Sequence, residues 1–441
     1  MDRNFKSRLQ RIRETGSSLS AVKAKPLRLN EEAANGNDLS SWPGWASPAH
    51  KTLKRTFSVH LSFSIPHALQ NSLALLVPDI LSMGQIPQVE QLLFFDLETT
   101  GLSGGAGTIA FLAAFGRFTH KGNNPAQLEI TQYLLLDYPG EEEFIKRVVG
   151  EFAPLKKPGG NKADEPMLPL VISYNGKCFD AQILRNRCLM NGIMNPKFFH
   201  ADLLHPARRL WKNKLPDCSQ PTIESSILGL DRTGDVSGAL APDIWFSYLR
   251  SGLNGDLLTV CEHNAKDIKG LAAIFIALAG IASDPHGSLE KYSCDEEELA
   301  VSWIKGIRKN PFSFGEGEKK TGESLLRYAA GKGYSRASYM LALDLLKRGN
   351  GSEGRAILQA IIRDISGDSS TNPGSIKKPL TVPSTLKAAA LRSLAIDAEW
   401  NLKDVLLAIK YTASALAIMD LPGKARHDFE KRQSRLKGKA S

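Results

Sequence analysis

Apolar and polar positions follow two regimes along this chain. From residue 91 to about 285, short apolar runs alternate with stretches of helical spacing. Gln91-Leu92-Leu93-Phe94-Phe95-Asp96 is an unbroken apolar run closed by an acid, as in a buried strand that delivers a side chain at its C-terminal edge. Thr108–Phe118 and Leu128–Leu136, rich in aromatic and branched residues, predict two more strands. Glu141–Phe152 follows a Pro-Gly pair, carries acids in its first turn and predicts a helix. After a polar loop at Lys156–Pro166 come a strand at Pro169–Tyr174, a helix at Phe179–Met190, a strand at Phe198–Leu203 and then mostly helices. Three strands in succession, then alternation with helices, predict an α/β unit with a mixed sheet flanked by helices.

From about residue 295 the chain turns to Ala, Leu, Lys and Arg at helical period. Leu325–Leu346, Gly354–Ile365, Thr385–Trp400 and Asp404–Met419 are the expected helices, with a polar insert at Ser366–Pro383. Ala408 and Ala415 lie seven apart with Pro422 after them, as in the second helix of a tetratricopeptide (TPR) repeat. The signature Trp and Gly of the first helix are missing, so a TPR-like domain and a generic helical bundle both fit. The expected organisation is a basic, partly disordered segment at 1–55, a lead-in at 56–90, the α/β domain at 91–285, helices at 295–422 with the insert 366–383, and a basic tail at 423–441. Within the first segment, residues 1–45 read as a short charged amphipathic helix and a polar stretch.

Composition narrows the class. With 441 residues, 42% hydrophobic and 23% charged, the chain is not wholly disordered, collagen-like or a disulfide scaffold. Cysteines 178, 188, 218, 261 and 294 show no CxxC or zinc-ligand spacing and read as reduced thiols. The N-terminus is charged from the start; the best uncharged apolar stretch, Gly270–Ser283, is too short for a bilayer, and the longer Thr56–Pro78 is broken by Pro66, His67, Gln70 and Asn71. A cytoplasmic protein without membrane contact is expected. Residues 1–60 hold 11 Lys and Arg against 5 Asp and Glu, and residues 421–441 hold 7 against 2, leaving the middle near neutral. Basic ends suit a polyanion such as nucleic acid, or serve solubility alone.

Candidate chemistry centres on Asp96-Leu97-Glu98-Thr99-Thr100-Gly101. Residues i and i+2 of a strand point the same way, so Asp96 and Glu98 present paired carboxylates. Such a pair raises its own pKa values unless a cation holds it, and oxygen ligands suit Mg²⁺ or Mn²⁺. Asp180 follows the strand and turn of Tyr174-Asn175-Gly176-Lys177 at the start of a helix, where capping is the competing role. His263 and Asp267 are i and i+4 on one helix face. Gly104-Gly105-Ala106-Gly107 lacks the ending of a P-loop and reads as a tight connection.

Phe95–Gly101 resembles the first motif of the DEDD 3′–5′ exonucleases, Tyr174–Asp180 the second as family B DNA polymerases write it, and His263–Asp267 the third. More narrowly, Gly101–Thr108, Asp202–Trp211 and Gly238-Ala239-Leu240 with Pro242 resemble the YprB-type ribonuclease H-like family of bacteria, over residues 90–280. The resemblance implies a ribonuclease H-like fold and a metal-dependent exonuclease that hydrolyses single-stranded nucleic acid from 3′ ends. Asp96, Glu98, Asp180 and Asp267 would be metal ligands for two Mg²⁺ or Mn²⁺ ions, with His263 orienting or deprotonating the water. One departure from the family is that His263 stands four residues before the last Asp, the spacing of the tyrosine-type enzymes rather than the five of the histidine-type. By the same resemblance Asn175 would touch the terminal nucleotide, and Thr99, Thr100 and Leu102 would line its pocket. Lys177 meets a phosphate or is a solvated turn lysine. Arg208, Arg209 and Lys212 grip the strand backbone or, for Arg208, form a salt bridge; Arg209 and Lys212 share an i, i+3 face. Asp202 reads as a packing or hydrogen-bonding residue. The alternative function is a catalytically silent nucleic-acid-binding adaptor whose helices bind a protein partner.

Overall fold

A computed structural model describes residues 42–101, 107–119, 127–155, 166–235, 238–363 and 382–440. Most of the expected N-terminal segment, most of the polar insert, all of the Lys156–Pro166 loop but Pro166, and Leu102 lie outside the described residues. Among the described residues seven strands, β1 (Ala46–Ala49), β2 (Thr52–Val59), β3 (Leu92–Thr99), β4 (Ala110–Thr119), β5 (Gln127–Leu135), β6 (Leu170–Ser173) and β7 (Phe199–Asp202), form one sheet in the order β1-β2-β5-β4-β3-β6-β7. The pairs from β1 to β3 are antiparallel, whereas β6 and β7 run parallel to β3. This is the mixed sheet that the strand order predicts.

Two strands extend it beyond the expectation. β2 pairs with β5 from Thr52↔Leu135 to Val59↔Leu128, so the expected boundary at residue 55 falls inside a strand. Lys54 and Arg55 made this segment look like part of a polar tail. Their side chains instead lie along the sheet surface, Lys54 over Tyr133 and Arg55 over Trp45.

The helices of the first half are α1 (Leu73–Leu76), α2 (Glu141–Gly150), α3 (Asp180–Met190), α4 (Leu204–Trp211), α5 (Gln220–Leu228), α6 (Ala241–Ser251), α7 (Gly255–Ser283) and α8 (Pro285–Lys291). Alternation along β3 sorts the core onto its two faces. Leu93, Phe95 and Leu97 join Phe115, Phe152 and Trp245 on one, while Leu92 and Phe94 join Phe118, Ile268 and Phe275 on the other. Period two therefore sets Asp96 and Glu98 on the Phe94 face, which α7 crosses. Gly116, opposite Phe94, permits that crossing, because a Cβ there would stand 2.6 Å from Ile268 Cγ2. The apolar stretch Gly270–Ser283 is the second half of α7 and is buried in this core. Among the described residues no helix is long and apolar enough to cross a membrane.

The second half is helical: α9 (Glu296–Lys309), α10 (Glu316–Gly331), α11 (Ser335–Lys347), α12 (Gly351–Arg363), α13 (Ser384–Trp400), α14 (Val405–Leu416) and α15 (Gly423–Ala440), each packed on the next. Trp303, Leu325 and Leu341 from these helices share one core with Leu75 and Phe275, so the halves join through apolar contact. Two expectations change. The single helix Leu325–Leu346 is broken at Gly333, whose φ of +88° suits glycine. The expected basic tail is α15, held by Phe429 and Leu436, which are seven apart and buried.

Candidate active site

The C-terminal half of β3 brings Asp96 and Glu98 beneath the first half of α7, which supplies His263, Asn264 and Asp267. Asp180 joins from the first turn of α3 and is buried. The four acids expected from the three motifs thus converge. Burial raises the Asp96 carboxyl well above the ordinary range, and the charges of Asp180, Asp267 and Glu98 push it further. Burial, then Asp267 and Asp180, brings Glu98 to about 8. Burial and the nearby Asp202 bring Asp180 to about 7. Left to itself the cluster is therefore electrostatically unfavourable, and it asks for protons or cations.

A hydrogen-bonded chain orients Asp96. Asn264 Nδ2 donates to Asp96 Oδ2 over 2.7 Å, and Asn264 Oδ1 accepts from Gln132 Nε2 at 2.9 Å. Gln132 Oε1 accepts from Arg55 Nε at 2.6 Å, and Arg55 also pairs with Glu262 at 2.7 Å. Asn264 and Gln132 are fully buried, so each amide that satisfies its neighbour also fixes its own rotamer.

A second network surrounds Asp267 and His263. Arg232 pairs with Asp267 Oδ1 at 2.6 Å, with Asp235 Oδ2 at 2.9 Å and with the buried Glu224 at 2.5 Å. His263 Nδ1 lies 3.0 Å from Asp235 Oδ2, and its Nε2 lies 3.3 Å from Asp267 Oδ2. A carboxylate on Nδ1 holds the proton there and leaves the Nε2 lone pair facing the acids. Gly238 leaves room for the ring, since a Cβ there would be 3.1 Å from Nε2. Donor atoms of Glu98, His263 and Asp267 all lie within 4.8 Å of one another. The oxygens of Glu98 and Asp267, with Nε2 beside them, make a set of donor atoms that fits a divalent cation.

The other expected contact residues divide. The Thr99 hydroxyl donates to Gly101 O, and the Thr100 hydroxyl accepts from Ile109 N, so both secure the end of β3. Asn175 sits at φ +66° in the turn before Asp180, where Asp202 accepts its backbone N–H at 2.8 Å and that of Lys177 at 3.1 Å. Lys177 pairs with Asp79 at 2.7 Å. On α4 Arg209 turns inward toward Leu76 O, while Arg208 and Lys212, one turn apart, stay exposed. Arg208 forms no ion pair among the described residues. The sequence reading missed Arg55, Gln132, Glu224, Arg232, Asp235 and Asn264. Only Asn264, inside the third motif, carried a local signal.

A mixed sheet in this order, with carboxylates from β3, α3 and α7 gathered at one edge, defines a ribonuclease H-like domain. Residues 93–279 match the RNase H superfamily model, so the chain contains a domain of that superfamily. The uncharacterized protein YprB of Bacillus subtilis (strain 168) is 34% identical over 203 residues. The match covers 45% of this chain and 45% of that protein, so the chain spans less than half the length of the relative.

Proposed function

We propose that this domain is a metal-dependent 3′–5′ exonuclease acting on single-stranded nucleic acid. The observation that carries the reading is the convergence of Asp96, Glu98, Asp180 and Asp267, with raised carboxyl pKa values on the first three. Asp96, Glu98, Asp180 and Asp267 would hold two Mg²⁺ or Mn²⁺ ions, which when bound lower the pKa of water and neutralise charge on a phosphodiester. Asn264 and Arg232 keep one oxygen each of Asp96 and Asp267 engaged and aim the carboxylates inward. His263, held through Nδ1 by Asp235, accepts the proton of the attacking water at Nε2. The water oxygen bonds to phosphorus as the bond to the 3′-oxygen of the penultimate sugar breaks. Arg208 of α4 and Lys212, just past its end, are exposed cations available to the strand backbone.

One observation favours a second reading, a silent nucleic-acid-binding adaptor: Arg232 already places a cation 2.6 Å from Asp267. The two are separated by incubating 5′-labelled single-stranded DNA and RNA with Mg²⁺ or Mn²⁺. Shortening from the 3′ end that vanishes in Asp96→Asn supports the exonuclease. Intact oligonucleotide with folded, metal-saturated protein supports the adaptor.

A further inference from the structure

We infer that the C-terminal helices carry a second binding site for single-stranded nucleic acid, in which Trp400 stacks on a base and cations of α15 and α13 meet its phosphates. The inference rests on the reading that this chain acts on nucleic acid.

One buried carboxylate organises more positive charge than it can neutralise. Glu399, on α13, accepts from Arg432 at 3.1 Å, Arg435 at 2.5 Å and Lys439 at 2.6 Å. Three cations on one anion leave a local excess of two. Beside them a cleft of about 500 Å³ between α13 and α15 is lined by Arg392, Lys431, Arg432 and Arg435, with Asp428 and Tyr339. Arg392 and Lys431 are exposed and form no ion pair among the described residues. Lys431, Arg435 and Lys439 recur every four residues, so they share one face of α15 over about 12 Å at a rise of 1.5 Å per residue.

Trp400 stands at the end of this stripe. It is 56% exposed, with Lys439 4.8 Å and Lys403 5.9 Å from its ring centroid. The other five tryptophans, Trp42, Trp45, Trp211, Trp245 and Trp303, are all buried. An exposed indole among cations, joined to a positive cleft, offers what a single strand requires: an aromatic face for a base and a charged track for its backbone. An acidic peptide would use the charge and leave the indole idle, so the nucleic acid is the better match.

The test uses the full chain in EDTA, so that nothing is cleaved. Oligo(dT) and oligo(rU) are expected to quench tryptophan emission saturably, because Trp400 is the exposed indole. By anisotropy of a labelled oligonucleotide, Trp400→Ala is expected to bind about 5- to 100-fold more weakly. The double variant Arg392→Glu/Lys431→Glu is expected to weaken binding and flatten its salt dependence by a log–log slope of about 1 to 2. Wild-type affinity in both variants would overturn the inference. So would quenching by polyglutamate with none by oligonucleotides, which would assign the surface to an acidic protein partner. Hydrolysis of a small nitrophenyl phosphodiester with Mn²⁺, measured separately, reads the acidic cluster alone and tells failure of this site from failure of the nuclease reading.

Discussion

Asn264 Nδ2 donates to Asp96 Oδ2 at 2.7 Å and ties the long helix to the central strand at the point where the carboxylates meet. The bond selects which oxygen of Asp96 stays open toward the cluster. It also explains why an amide lies inside the His263–Asp267 motif: a carboxylate there would repel, and an apolar side chain would leave Gln132 and Asp96 unsatisfied. Asn264→Ala is expected to lower unfolding stability by about 1–3 kcal/mol in denaturant titration. It should also weaken Mn²⁺ binding by about 10- to 100-fold. Unchanged Mn²⁺ affinity would show that the bond only stabilises the fold.

Glu98 sets the sign of a pH effect. Its folded pKa of about 8 lies above the ordinary value of 4.5, so the folded state binds the extra proton. The stability this contributes is complete below about pH 4.5 and is lost as pH rises through 8. With EDTA present, Glu98→Gln should flatten the fall of Tm between pH 5 and 9 and melt above wild type at pH 9. Adding Mg²⁺ should raise the wild type at pH 9 more than the variant. Parallel Tm curves for the two proteins would remove Glu98 from the coupled cluster.

His263 and Asp235 should separate in kinetics. His263→Ala is expected to lower kcat on a single-stranded oligonucleotide by about 10²–10⁴. Asp235→Asn keeps the ring but removes the carboxylate that fixes its proton on Nδ1, so its loss should be smaller, with an altered pH–rate profile. Equal rates in wild type and His263→Ala would remove the histidine from the proton transfer.

Arg232 neutralises Glu224, whose side chain is only 2% exposed. Arg232→Ala strands that charge and should cost about 3–5 kcal/mol, most of it regained in Arg232→Ala/Glu224→Gln. Gly270 belongs to the same arrangement, since a Cβ there would meet Glu224 Oε1 at 1.7 Å. Gly270→Ala should therefore lower Tm as well, and a wild-type Tm in Gly270→Ala would contradict the packing of Glu224 on α7.

What the sequence revealed was local. Alternation alone put Asp96 and Glu98 on one face, and helical spacing alone paired His263 with Asp267. The strands β3 to β7 were legible because their apolar runs are short and dense. Arg232 and Asp235 sit in a loop without periodicity, and only the fold brings them to α7. Arg55 read as part of a basic segment and Gln132 as a polar residue of an unremarkable strand until β2 pairs with β5, Arg55 meets Gln132 and Asn264 descends onto Gln132. In the second half, the Phe429–Leu436 spacing was available to mark α15, but the Lys and Arg around it obscured it.

Calorimetric titration with Mn²⁺ at pH 8 tests most directly whether the carboxylates hold divalent cations. Wild type should take up two ions, with Asp96→Asn and Glu98→Gln losing one or both while remaining folded by circular dichroism. Absence of Mn²⁺ binding by folded wild type, or identical binding by Asp96→Asn, would contradict it.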